Sequence, residues 1–150
     1  MAPRPPTSSS PDPLKTLAGY GISSFLVLTG LVALLTPTTM AAAFGLPITN
    51  TPLSSLTSSS PTSALFTPAA TATAAAFVQC FGARNLTMGI LNTIFIQRGD
   101  LRAASTLAGL LAIDGLLDAF VTGRGAGLAW ALPHVLGAGV IVPVARWMGA

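Results

Sequence analysis

The sequence predicts an all-α integral membrane protein built as a four-helix bundle, and three observations carry that prediction. Only 11 of the 150 residues are charged, seven Lys/Arg and four Asp, which is 7% of the chain. A soluble domain carries about 25% and needs that charge on its surface. The chain is 51% apolar, with a mean hydropathy of +0.72. The apolar residues also gather into four stretches, each about 20 residues long and so long enough to cross a bilayer as a helix. Helices are the form expected, because they satisfy their own backbone in lipid. The alternating ten-residue pattern of a membrane barrel is absent from the sequence.

The elements follow in order. Residues 1–16 hold five prolines and the run Ser8-Ser9-Ser10, and read as a disordered tail. The first span covers 17–36 and carries no charge before Pro37 ends it. The competing reading, a cleaved signal peptide, fits less well because its apolar region is usually about 7–15 residues. Residues 37–73 form a loop, rich in Ser and Thr from Thr49 onward and broken by Pro52, Pro61 and Pro68. Within it, Met40 to Leu46 reads as a short helical turn on the membrane surface. The second span, 74–96, contains Gln79, Arg84, Asn85 and Asn92. A turn at 97–102 leads to the third span, 103–121, with Asp114 and Asp118. Thr122-Gly123-Arg124-Gly125 reads as the next turn, and the fourth span, 126–145, contains Pro133 and His134.

Orientation follows from the basic residues. Arg4, Lys15, Arg98, Arg102 and Arg146 fall on one side of such a bundle and Arg124 on the other. That asymmetry places both termini in the cytoplasm and the Ser/Thr/Pro-rich loop in the lumen, with the endoplasmic reticulum the expected membrane. Tyr20 and Trp147 then lie near the cytoplasmic interface. The sequon Asn85-Leu86-Thr87 is inside a span and is expected to stay unglycosylated.

Charges inside a membrane cost about 2.5–3.5 kcal/mol each, so they pair and face the bundle interior. Counting helical rise, Arg84, Asp114 and His134 each lie roughly 12–16 Å deep, close to one level. Asp118 follows Asp114 by one turn on the same face. These four residues are the candidate catalytic set, able to move a proton or to polarise a carbonyl or phenol. Pro133 frees the carbonyl of Ala129 beside His134. The competing reading makes Arg84–Asp114 a structural clamp.

Other chemistries fit less well. Asp114-x-x-x-Asp118 has the spacing of a metal-diphosphate motif, but the sequence has no second acidic motif. A zinc site from Asp114, Asp118 and His134 lacks the usual His/Cys set. No metal and no cofactor is expected, and Cys80 reads as a packed thiol without a disulfide partner. The pI near 10 comes from a balance of +3 among few groups. It gives no basic patch, so nucleic acid is excluded as a partner. Small residues, among them Gly19 with Gly30, Gly82 with Gly89, Ala104-x-x-x-Ala108-x-x-x-Ala112, and Gly137 with Gly139, suit close packing within the bundle.

Gly82-Ala83-Arg84-Asn85 with Gly89, then Arg102-Ala103 opening a span that holds Asp114, then His134 in the last span, resembles a known group. These motifs, over about residues 17–148, resemble the small fungal four-span membrane proteins of domain of unknown function 4267. The resemblance implies a compact bundle of DoxX-like size and layout, similar also to fungal anthrone-oxygenase proteins and often encoded beside secondary-metabolite enzymes. It implies no particular reaction, but it favours a hydrophobic small molecule as partner besides the lipid bilayer. Three functions follow: a cofactor-free membrane enzyme (cyclase, isomerase or oxygenase-like), a transport component, or a scaffold for biosynthetic enzymes. A small transporter of four spans would need to form a homo-oligomer.

Overall fold

The computed structural model describes residues 12–46 and 68–150, and all its regular structure is helical. The order is α1 (Pro13–Leu35), α2 (Pro37–Ala43), α3 (Pro68–Gln97), α4 (Leu101–Gly125) and α5 (Leu128–Gly149). Three of these, α1, α4 and α5, are long and apolar enough to cross a membrane, which makes the chain an α-helical membrane protein. The expected second span, 74–96, falls within α3. This helix has 30 residues, about 45 Å at 1.5 Å per residue, and its length is ample. It does not join the other three because Gln79, Arg84, Asn85 and Asn92 lower its apolar character.

Each helix end has a local cause. Asp12 accepts a hydrogen bond from the Leu14 amide at 2.9 Å, and Pro13 occupies the first helical turn, where its missing N–H costs nothing. Helix α1 therefore begins inside the stretch read as tail. Its end is set by Pro37, which restricts the backbone of Thr36 and opens α2 as a first-turn proline. The α3–α4 connection turns at Gly99, whose φ of +71° suits a residue without a side chain, and Asp100 caps Ala103 at 2.9 Å.

Three expectations are corrected. The turn expected at 122–125 remains helical, and the chain reverses instead at Ala126 and Gly127, where φ is +98°. Glycine is tolerated in a helix supported by neighbours, and only Gly127 uses its conformational freedom here. Secondly, the loop expected over 37–73 is shorter, since α2 and the start of α3 lie within it. Thirdly, Met40 and Ala41 are buried where α2 packs on α1 and α3, so this short helix is docked on the bundle, with Thr38, Thr39, Ala42 and Ala43 left exposed. The remainder of that loop, 47–67, and the tail to residue 11 lie outside the described residues.

The helices assemble as two tight pairs, α1 with α3 and α4 with α5, and the pairs meet along a thinner seam. Glycine makes the first pair. A Cβ added at Gly30 would stand 2.6 Å from the Leu86 amide nitrogen, and one at Gly82 would stand 2.8 Å from the Gly30 carbonyl. Backbone touches backbone there, as small residues permit in membrane bundles. Polar side chains add to it. Asn92, fully buried, donates to the Gly19 carbonyl at 3.1 Å and to Ser23 Oγ at 2.9 Å. Asn85 donates to Thr29 Oγ1 at 3.3 Å, which encloses the sequon asparagine in the bundle. The second pair is lined by Ala104, Ala108 and Ala112, all buried, with Ser105 donating to the Ala145 carbonyl at 2.7 Å. Gly137 and Gly139 take no part in this packing, for a Cβ at either meets nothing within 4 Å. At one end of the bundle Lys15 Nζ lies 6.0 Å from the centre of the Trp147 ring, which brings the start of α1 to the end of α5.

Replacing Gly30 or Gly82 by leucine is expected to cost about 1–3 kcal/mol of stability, because the opposing atoms are backbone and cannot move aside. Gly109→Ala, with nothing within 4 Å, is the control and should leave stability unchanged or slightly raised. Thermal unfolding of the purified chain in detergent checks both.

Candidate functional site

Arg84 stands near the middle of α3, and Asp114 and Asp118 stand one turn apart near the middle of α4. The structure brings them together across the seam between the helix pairs. Arg84 Nη1 donates to Asp114 Oδ1 at 2.8 Å, and Nη2 lies 3.7 Å from Asp118 Oδ2. The first contact is a charge-assisted hydrogen bond; the second is an ion pair too long to be one. The side chains remain 36% (Arg84), 30% (Asp114) and 31% (Asp118) exposed, so the cluster faces open space as well as protein. Arg84 Nε is buried and has no hydrogen-bond partner among the described residues.

His134 reaches the same site by another route. Gly115, between the two aspartates, faces α5, where a Cβ would lie in ordinary contact 3.9 Å from the His134 carbonyl. The imidazole stacks on Phe44, with centroids 4.8 Å apart and planes 13° from parallel. Phe44 meets Phe81 edge to face at 5.3 Å, and Phe81 lies under the Arg84 guanidinium at 5.1 Å. An aromatic bridge therefore joins His134 to Arg84. Among the described residues His134 forms no ion pair with either aspartate.

Two clefts adjoin this wall. One, of about 570 Å³, runs along the seam and is lined by Ile22, Phe25, Leu136 and Gly137 together with Arg84, Asp114, Asp118 and His134. The other, of about 670 Å³, lies beside α2 and the first half of α3, with Phe77 and Val121 among its lining residues. Phe44, Phe81, Arg84 and Asp118 border both. Both volumes lie within the range of small-molecule sites, about 300–1,000 Å³. Cys80 is exposed on the second cleft and is not the packed thiol expected from its neighbour Phe81, because no described residue covers that face of α3.

All four expected site residues thus line one cleft. The sequence reading missed Phe44 and Phe81, which connect them. Phe44 ends a segment with no charge and no periodic partner, and nothing in the linear sequence points it at His134. Among the described residues no three His, Cys, Asp or Glu side chains gather as metal ligands would.

These features define a helical membrane protein with a charged cluster inside its bundle, open to an apolar cleft. The model of a domain of unknown function, DUF4267, matches residues 23–148, and the chain belongs to that family. No curated protein and no solved structure matches the chain.

In a double-mutant cycle, Arg84→Met with Asp114→Asn is expected to show a coupling of about 1–3 kcal/mol, in the range of contacting charged pairs. The same cycle with Asp118→Asn should give a smaller value, because 3.7 Å leaves no hydrogen bond to lose. Denaturant unfolding in mixed micelles measures both. Equal couplings would contradict the geometry.

Proposed function

We propose that the chain is a four-span integral membrane protein that acts on a hydrophobic small molecule in its seam cleft. Arg84, Asp114, Asp118 and His134 serve as its electrostatic and acid–base groups. One observation carries this reading: three helices bring all four ionisable side chains to the wall of a single apolar cleft. Intramembrane charges are expensive, and a bundle that only needed to stand could omit them. The imidazole and Asp118 are the groups best suited to proton transfer, since neither is committed to a hydrogen bond among the described residues. Arg84 and Asp114 are committed to each other, and they hold the local field.

As the fourth span, α3 sits between α1 and α4, and its polar side chains are turned toward those neighbours. The basic asymmetry then assigns both termini to the cytoplasmic side, with the endoplasmic reticulum as the membrane. The family's resemblance to proteins encoded beside secondary-metabolite enzymes supports an apolar natural product as the molecule handled. A second reading has its own support. The Arg84–Asp114 bond at 2.8 Å is short enough to serve as a clamp in a scaffold or transport component.

The two readings separate in cells that lack the chain. Complementation with His134→Ala or Asp118→Asn is expected to leave protein abundance at the wild-type level while apolar metabolites in membrane extracts stay as in the deletion. If both variants restore the metabolite profile, the catalytic reading is overturned and the clamp stands. Topology is read independently. Protease added to sealed microsomes should remove epitope tags at both termini together, and protection of one tag alone would exclude four spans.

A further inference from the structure

The charge of the cluster says what kind of molecule the seam cleft takes. Counted formally, one guanidinium faces two carboxylates, which leaves one negative charge in an otherwise apolar wall. That charge is concentrated at Asp118. Asp114 holds the Arg84 hydrogen bond, whereas Asp118, as exposed as Asp114, accepts none among the described residues and keeps only the 3.7 Å ion pair. Arg84 offers an anion no free donor among the described residues, since both Nη atoms face aspartates and Nε is buried; His134, on the same cleft, is counted as the neutral imidazole. In a surrounding of low dielectric the missing complement is a single positive charge. Aromatic surfaces stand beside it: Phe44, Phe81 and the His134 ring line the same cleft. Ammonium groups are recognised by this combination of carboxylate and aromatic faces.

The rim adds the second half of the description. Phe25, Leu136 and Val140 border the cleft and are each more than 60% exposed on helices of membrane-spanning character. A ligand therefore arrives from the apolar phase and brings an apolar body. Gly21 and Gly137 line the cleft beside open space, for among the described residues a Cβ at either meets no atom within 4 Å.

We propose that the seam cleft binds an apolar amine as its ammonium cation, with the charge against Asp118 and the body between α1 and α5. This rests on the reading of the cleft as a small-molecule site and names the class of molecule. It needs no turnover, so its test is a binding test.

The full chain is placed in nanodiscs of phosphatidylcholine, which carry no net charge. At pH 7 it is titrated with 1-adamantanamine, 1-adamantanol and 1-adamantanecarboxylate, which share one cage and differ in the polar group. Isothermal titration, with empty nanodiscs subtracted, is expected to show the amine binding at least tenfold more tightly than the alcohol and the carboxylate not at all. Asp118→Asn should reduce the amine to the level of the alcohol. Gly137→Phe should abolish binding of both while leaving the unfolding temperature unchanged. Equal affinity for amine and alcohol would mean that a proton alone neutralises the cluster, and would overturn the proposal. So would absence of saturable amine binding, preference for the carboxylate, or an amine preference that survives Asp118→Asn. If Asp118→Asn does not accumulate, the comparison of the three compounds on the wild-type chain decides the matter. Failure here leaves the complementation result standing, and failure there leaves this one standing.

Discussion

A guanidinium inside an apolar bundle has to be neutralised, and the Arg84–Asp114 hydrogen bond does this across the seam between two helix pairs. Each pair holds itself together by close contact. In α1–α3 the backbones touch through Gly30, Gly82 and Gly89, and in α4–α5 three alanines form the seal. Between the pairs, Gly19, Ile96, Ala104 and Met148 make an apolar contact of the same kind near one end of the bundle. What crosses at mid-length is an ion pair between the long Arg84 side chain and Asp114, and the reach of the arginine leaves room between the helices. Open clefts at this level follow from that separation. The site and the seam thus have one cause.

Helix α2 completes the arrangement. It is too short to span anything, yet its burial on α1 and α3 delivers Phe44 to the point where both clefts meet. The Phe44–Gly45 corner is held from the far side by Trp130 of α5. A Cβ at Gly45 would fall within the van der Waals envelope of that ring, and its φ of +68° is itself one that glycine accepts most readily. Through its cap residue Phe44, this seven-residue helix supplies the surface on which the imidazole stacks.

Much of this was legible in the sequence because membranes make composition informative. Scarcity of charge gave the class, and counting 1.5 Å per residue from the ends of the apolar stretches brought Arg84, Asp114 and His134 to one level. That argument needs only a straight helix and a flat bilayer. Contacts that depend on rotation about the helix axis were not legible. Phe81 is three residues from Arg84, an ordinary helical neighbour, but its edge-to-face contact with Phe44 depends on where α2 docks. Residues 122–125 show the same limit at a boundary. Two glycines and an arginine look like a turn, yet tertiary packing carries the helix through them to Gly125.

The inequality between the two aspartates follows from the same geometry. They lie on one face of α4, one turn apart, and the single guanidinium opposite them meets only one at hydrogen-bond distance. Asp114 takes the short contact, and Asp118 is left at 3.7 Å with part of its carboxylate turned to open space. A second basic side chain would have closed the cluster as a neutral structural knot. Instead the described residues offer an imidazole held by stacking, whose ring nitrogens have no ion-pair partner. A carboxylate that keeps only a 3.7 Å ion pair in a largely apolar wall is a cost to a bundle selected for stability alone. The cost becomes intelligible if the compensating charge arrives with a ligand and leaves with it.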